Sequence, residues 1–222
     1  MIINIEGTDC SGKETQSKLL VEMLQKNGYK AELLSFPNYD TPTGKIVGGP
    51  YLGKKHITEG WFSEGATNVD AKVASLYFAA DRKYNEHIIK DLEEKGYVVV
   101  LNRYVESNMA HQASKLKTKE EREEMFKFLE ELEYGLLKLS KADITLLLYM
   151  PYENACILKA GREEKPDQHE LDGEYLKRSE QTYLELAKRN NYIKLDCVEN
   201  NKILTREEMS EKVWNSVKNL IK

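Results

Sequence analysis

Gly7-Thr8-Asp9-Cys10-Ser11-Gly12-Lys13 is the stretch from which the fold is read. It fits G-x-x-x-x-G-K, and Ile2-Ile3-Asn4-Ile5 just before it reads as a strand. Helical periodicity begins at Lys13 and runs to about Lys26, with Leu19, Leu20, Met23 and Leu24 on one face and Asn27-Gly28 as the stop. A glycine-bearing turn between strand and helix lets backbone N–H groups curl around a phosphate. It also aims the positive end of the helix dipole at that phosphate and brings a lysine to the β- and γ-phosphates. The candidate phosphate-binding residues are therefore Gly7, Thr8, Asp9, Cys10, Ser11, Gly12, Lys13, Glu14 and Thr15. One position departs from the pattern. The residue after the lysine is ordinarily Ser or Thr, a Mg²⁺ ligand, and here it is Glu14; Thr15 lies about 100° further round the helix.

Outward from this loop, short apolar runs alternate with helical patterns. Ala31 to Phe36, Tyr97 to Leu101, Ile144 to Tyr149 and Tyr192 to Leu195 read as further strands. Ala71 to Lys95, Lys119 to Lys138, Tyr175 to Arg189 and Thr205 to Leu220 read as helices, the second with Phe126, Leu129, Leu132 and Leu136 on one side. Strands apolar on both faces, separated by helices, mean a parallel sheet covered on both sides. The expectation is one α/β domain over residues 1–222 with a five-stranded parallel sheet. Asn38 to Asn68 and Gly161 to Gly173 are weakly patterned and follow strand ends, where ligands of such sheets bind.

Composition narrows the function classes. The 222 residues carry 33 basic and 37 acidic side chains, a net charge of −4, which argues against a nucleic-acid or anionic-membrane partner. Ile144 to Met150 falls far short of the roughly 20 apolar residues of a spanning helix. Three cysteines without paired spacing, and a start without a basic region or apolar core, point to the cytoplasm.

Several segments, read together, resemble the thymidylate kinase family of P-loop nucleoside monophosphate kinases. They are the phosphate loop, Phe36-Pro37, Pro42-Thr43-Gly44, Tyr51-Leu52, Phe78-Ala79-Ala80-Asp81-Arg82 and the run from Asn102-Arg103-Tyr104 to His111-Gln112. The last resembles D-R-Y-x-x-S-[SN]-x-A-[YH]-Q, with Asn102 in place of Asp. The resemblance implies a three-layer P-loop NTPase fold, ATP as phosphoryl donor, Mg²⁺, dTMP as acceptor and a homodimer. It further implies that Phe78 stacks on the pyrimidine and that Arg82, Asn108 and Gln112 bond its edge. Asp9 would accept from the sugar 3′-hydroxyl, and His111 would lie near the 2′-position. Phe36, Pro37, Tyr39 and Asn102 would complete the acceptor site. The chemistry agrees: holding two phosphate groups together needs cations on both sides of the transferred group. Lys13 suits the donor, and Arg103, at a strand end, suits the acceptor phosphate. Arg162, in a lid-like segment at about 159–173 with Lys159 and Lys165, is the third catalytic candidate; Gln168 stands where that lid usually has Arg. The paired replacements at residues 14 and 102 suggest that Glu14 supplies the carboxylate that Asn102 lacks at the metal. The alternatives are a kinase for another nucleoside monophosphate or a deoxynucleoside, and a nucleotide-binding pseudokinase.

Overall fold

The computed structural model describes residues 1–159 and 172–221. Elements follow in the order β1 (Ile2–Gly7), α1 (Lys13–Lys26), β2 (Ala31–Ser35), α2 (Pro42–Ile46), α3 (Ala71–Glu94), β3 (Val98–Asn102), α4 (Val105–Ala113) and α5 (Lys119–Leu129). Then come β4 (Ile144–Tyr149), α6 (Tyr152–Lys159), α7 (Gly173–Asn190), β5 (Ile193–Asp196), β6 (Val198–Glu199), β7 (Lys202–Ile203) and α8 (Arg206–Val217). The main sheet has the order β2-β3-β1-β4-β5, and all four of its pairings are parallel. The five expected strands are thus present. The β6–β7 pair is a small antiparallel hairpin that the apolar patterning did not signal.

β1 lies in the centre, flanked by β3 and β4, so the loop at its carboxyl end emerges in the middle of the sheet. Its residues divide between two layers by the period of two. Ile3 and Ile5 enter one core with Leu20 and Leu24 of α1 and Val213 of α8. Ile2 enters the other, with Ile89 of α3, Met109 of α4, Phe126 of α5 and Leu186 of α7. Asn4 and Glu6 share the Ile2 side and are wholly buried polar groups under α4.

Two segments depart from the simple reading. The weakly patterned stretch after β2 holds α2, a π-helical turn (Val47–Tyr51) and a small core of its own, in which Val47, Tyr51, Leu52, Ala66 and Val69 pack on Ala74. The expected helix from Lys119 is α-helical only to Leu129 and π-helical over Glu130–Leu136. The wider turn breaks the 3.6-residue register. Leu136, expected on the buried side, is 68% exposed, and Glu133 is buried instead.

Candidate active site

The phosphate loop is anchored from both sides. Thr8 Oγ1 donates to Met150 O at 2.7 Å and accepts from Met150 N at 2.8 Å, tying the loop to the end of β4. Gly12 takes φ +76°, a conformation that glycine adopts without strain, and gives α1 no side-chain cap. The first-turn N–H groups of α1 are therefore available to an anion. Lys13 is buried beneath the loop, its Nζ 2.7 Å from Thr8 O and 3.4 Å from Ser11 Oγ. Burial and the neighbouring Arg103 push its pKa down to about 7. Burial also works against a charged Asp9, yet an ion pair with Lys159, aided by Lys13 and Arg103, holds that carboxyl below the usual range.

Arg103 follows β3 with φ +68°. Its Nη1 lies 3.2 Å from Ser107 Oγ, 3.4 Å from Tyr183 Oη and 3.5 Å from His111 Nε2. Burial opposes its charge, but Tyr183, Glu6 and Asp9 outweigh that and keep the guanidinium firmly protonated. His111 is fixed in turn by Tyr175 Oη at 3.0 Å and Ser179 Oγ at 3.3 Å from its Nδ1.

A cavity of about 440 Å³ opens over these groups at the carboxyl ends of β1, β2 and β3. Of the residues expected at the phosphate loop, Gly7, Thr8, Asp9 and Glu14 border it. Of those expected at the acceptor, Asp9, Phe36, Pro37, Tyr39, Phe78, Arg82, Arg103, Asn108, His111 and Gln112 all do. Asn102 does not; its Nδ2 is 3.3 Å from Ser35 Oγ and its Oδ1 is buried without a partner. Cys10, Ser11, Gly12, Lys13 and Thr15 belong to the loop and the start of α1 rather than to the cavity wall. Glu14 turns its exposed carboxylate toward Lys18 Nζ at 2.5 Å, and among the described residues no hydrogen bond joins it to Asn102. Arg162, Lys165 and Gln168 lie outside the described residues.

Residues that the sequence did not single out hold this arrangement. Glu6 accepts from Tyr104 N at 2.7 Å, Ser107 N at 3.1 Å, Ser107 Oγ at 2.6 Å and Tyr183 Oη at 3.2 Å. It thereby caps α4 and fixes both hydroxyls on which Arg103 rests. Asp81 accepts from Asn38 N at 2.9 Å and Thr43 Oγ1 at 2.8 Å, which pins the Pro37–Tyr39 loop to α3. A signal for Glu6 was present: Asn4 and Glu6 alternate within an otherwise apolar strand, so both had to be buried and partnered.

No group of three or more His, Cys, Asp or Glu suited to a metal occurs among the described residues. No helix among them is long and apolar enough to cross a membrane. The three cysteines form no disulfide.

Comparison with known proteins agrees with this geometry. The family described as "Thymidylate kinase" matches residues 5–208. A probable thymidylate kinase of Methanocaldococcus jannaschii is 34% identical over 222 residues, 99% of this chain and 97% of that one. A second, from Thermococcus kodakarensis, is 38% identical over 115 residues, so that the aligned part spans 50% of this chain and about half, 53%, of that relative. A solved thymidylate kinase from Candida albicans superposes with a TM-score of 0.75 at 25% identity, covering 99% of this chain and 91% of that one. With a phosphate loop, a cavity beside it and a family match over nearly its whole length, the chain belongs to the thymidylate kinase family of ATP-dependent nucleoside monophosphate kinases.

Proposed function

We propose that this chain transfers the γ-phosphoryl group of ATP to dTMP, giving dTDP and ADP. One observation carries the reading: a single cavity joins the phosphate loop to the acceptor-reading set Phe78, Arg82, Arg103 and Asn108. Arg103 is close enough to Lys13 to lower its pKa, so two basic side chains flank the place where two phosphates must meet. Lys13 exchanges its contact with Ser11 for the donor's β/γ-oxygens. Arg103 holds the acceptor phosphate with Tyr39, and Asp9 takes the sugar 3′-hydroxyl. Arg162 and Lys159 bring further positive charge over ATP. Asp9 and Glu14, which border the cavity, are the carboxylates suited to Mg²⁺, a cation held mainly by nucleotide phosphates and one or two carboxylates. When bound, the ion would neutralise charge building up on the β- and γ-oxygens.

The test is ADP release with ATP and Mg²⁺ against dTMP, dUMP, UMP, dCMP, dGMP, AMP, thymidine and no acceptor. Turnover of dTMP with weaker dUMP is expected. The Candida albicans relative is described as having broad substrate specificity, so turnover of another monophosphate would keep the mechanism and move the specificity. ATP binding without turnover of any acceptor would refute the reading.

A homodimer and a cytoplasmic location belong to the same proposal. The outer face of α3 carries Val73 (44% exposed), Leu76 (51%), Ala80 and Tyr84 (51%) at spacings of three and four, an apolar stripe fit to pack against its own copy. Light scattering should give twice the chain mass, and Leu76→Glu should give the monomer. A monomeric wild type would end this part of the proposal.

A further inference from the structure

Glu133 is fully buried in the π-helical turn that continues α5, and none of the roles above includes it. Its carboxylate accepts from Arg82 Nε on one oxygen and from Arg82 Nη2 on the other, Oε1, at 2.6 Å. Oε1 also accepts from Asn108 Nδ2 at 2.9 Å. Ser75 O, 3.1 Å from that same Nδ2, is a second acceptor.

This arrangement fixes a polarity. A carboxylate and a peptide carbonyl can only accept, so the side of Asn108 that faces them must be its NH₂ group. The other end of the amide, Oδ1, is left buried without a partner, and Asn108 borders the acceptor cavity. Arg82 is treated alike. With Nε and Nη2 engaged, Nη1 is left with only Tyr104 O at 3.4 Å, and Arg82 borders the same cavity. Sharing Oε1 sets the two side chains side by side, one offering a donor and the other an acceptor. Gln112, also fully buried, has neither amide atom bonded and can present either.

We propose that Glu133 is a positioning residue that determines base specificity. By accepting from both Arg82 and Asn108 it presents the complement of a ring N–H beside a carbonyl. That is the keto edge of thymine or uracil. Cytosine offers a ring acceptor beside an amino group and would set acceptor against Oδ1 and donor against Nη1. The inference rests on reading this cavity as the acceptor-base site.

Glu133→Gln is the first variant. Arg82, which can only donate, claims the new amide oxygen, and the new NH₂ faces Asn108. Asn108 can satisfy it only by turning its own oxygen inward, at the expense of Ser75 O. Calorimetric binding of dTMP and dCMP, and kcat/KM for each, are compared with wild type. The preference for dTMP should fall by about tenfold or more, since a site built around polar pairing loses discrimination when that pairing is scrambled. Equal losses on both nucleotides, with the preference unchanged, would reduce Glu133 to a structural residue and overturn the proposal. Removing one partner of a buried ion pair can prevent folding. In that case Glu133→Asp, which keeps the charge and withdraws the carboxylate by one methylene, replaces it: a loss of preference for dTMP supports the proposal, and an unchanged preference refutes it. Wild type binding both nucleotides equally would sink the proposal while leaving the site intact. Wild type binding neither would instead refute the site reading on which it rests.

Discussion

Glu6→Gln tests whether one buried carboxylate organises the transfer site. The substitution keeps the shape of the side chain and removes its charge and half of its acceptor capacity. Besides Asn4 Nδ2 at 3.3 Å, four donors converge on Glu6, two backbone N–H groups and two hydroxyls, at 2.6 to 3.2 Å. A hydrogen bond to a charged acceptor contributes about 1.5–3 kcal/mol and one to a neutral acceptor about 0.5–1.5, so each of the four loses about 1 kcal/mol. The hydroxyls of Ser107 and Tyr183 can rotate and accept from the new amide, which recovers part of this. The expected destabilisation is about 2–4 kcal/mol, measured by urea denaturation; at about 2–4 °C per kcal/mol for a chain this long, the Tm should fall by roughly 4–16 °C. Arg103 rests on the same two hydroxyls. The KM for the acceptor monophosphate should therefore rise about tenfold while the KM for ATP stays within about twofold. A variant within about 0.5 kcal/mol of wild type with an unchanged acceptor KM would refute the argument, because it would mean that four short hydrogen bonds to a buried carboxylate hold nothing in place.

Two further outcomes follow from the same structure and a third from the sequence. Lys13, with a pKa near 7 against 10.5 in an unfolded chain, binds fewer protons folded than unfolded between these values, so stability should rise with pH across that window; ATP restores its charge, and calorimetry at about pH 8 in buffers of different ionisation enthalpy should show proton uptake on binding that Lys13→Met abolishes. Gly44→Ala places a Cβ 1.8 Å from Asn38 O and 2.9 Å from Tyr39 N, and should cost about 1–3 kcal/mol in thermal denaturation while raising the acceptor KM through the displaced Tyr39 loop. Arg162→Ala should lower kcat by about 10²-fold or more if that arginine supplies transition-state charge, and an unchanged kcat in steady-state assays would transfer the role to Lys159 or Lys165.

How much of the molecule was legible before the fold was known varies from residue to residue. The phosphate loop is a local object. Its glycines, lysine, preceding strand and following helix are contiguous, so spacing alone places Gly7 to Lys13. The candidate acceptor residues Phe78, Arg82, Arg103, Asn108 and Gln112 occur in order along segments that resemble the family's, and all of them reach one cavity. The central strands β1, β3 and β4 were legible because burial on both faces leaves mostly apolar runs. Glu133 was hidden because the helix read over Lys119 to Lys138 sets its apolar face by Phe126, Leu129, Leu132 and Leu136, whereas the π-helical turn buries residue 133 and exposes Leu136. The β6–β7 hairpin was hidden because two-residue strands carry too little pattern.

By itself, then, the sequence determined the α/β class and the place of the phosphate loop, which depend on periodicity and on a contiguous motif, and its resemblance to a family named most of the residues that border the cavity. Tertiary structure alone decided which acids hold that cavity in shape. Glu6 meets Tyr183 across 177 positions of chain, and Arg82 meets Glu133 across 51. The sign and orientation of a buried hydrogen bond are set by what packs against it, and that partner is fixed only when distant elements are brought together.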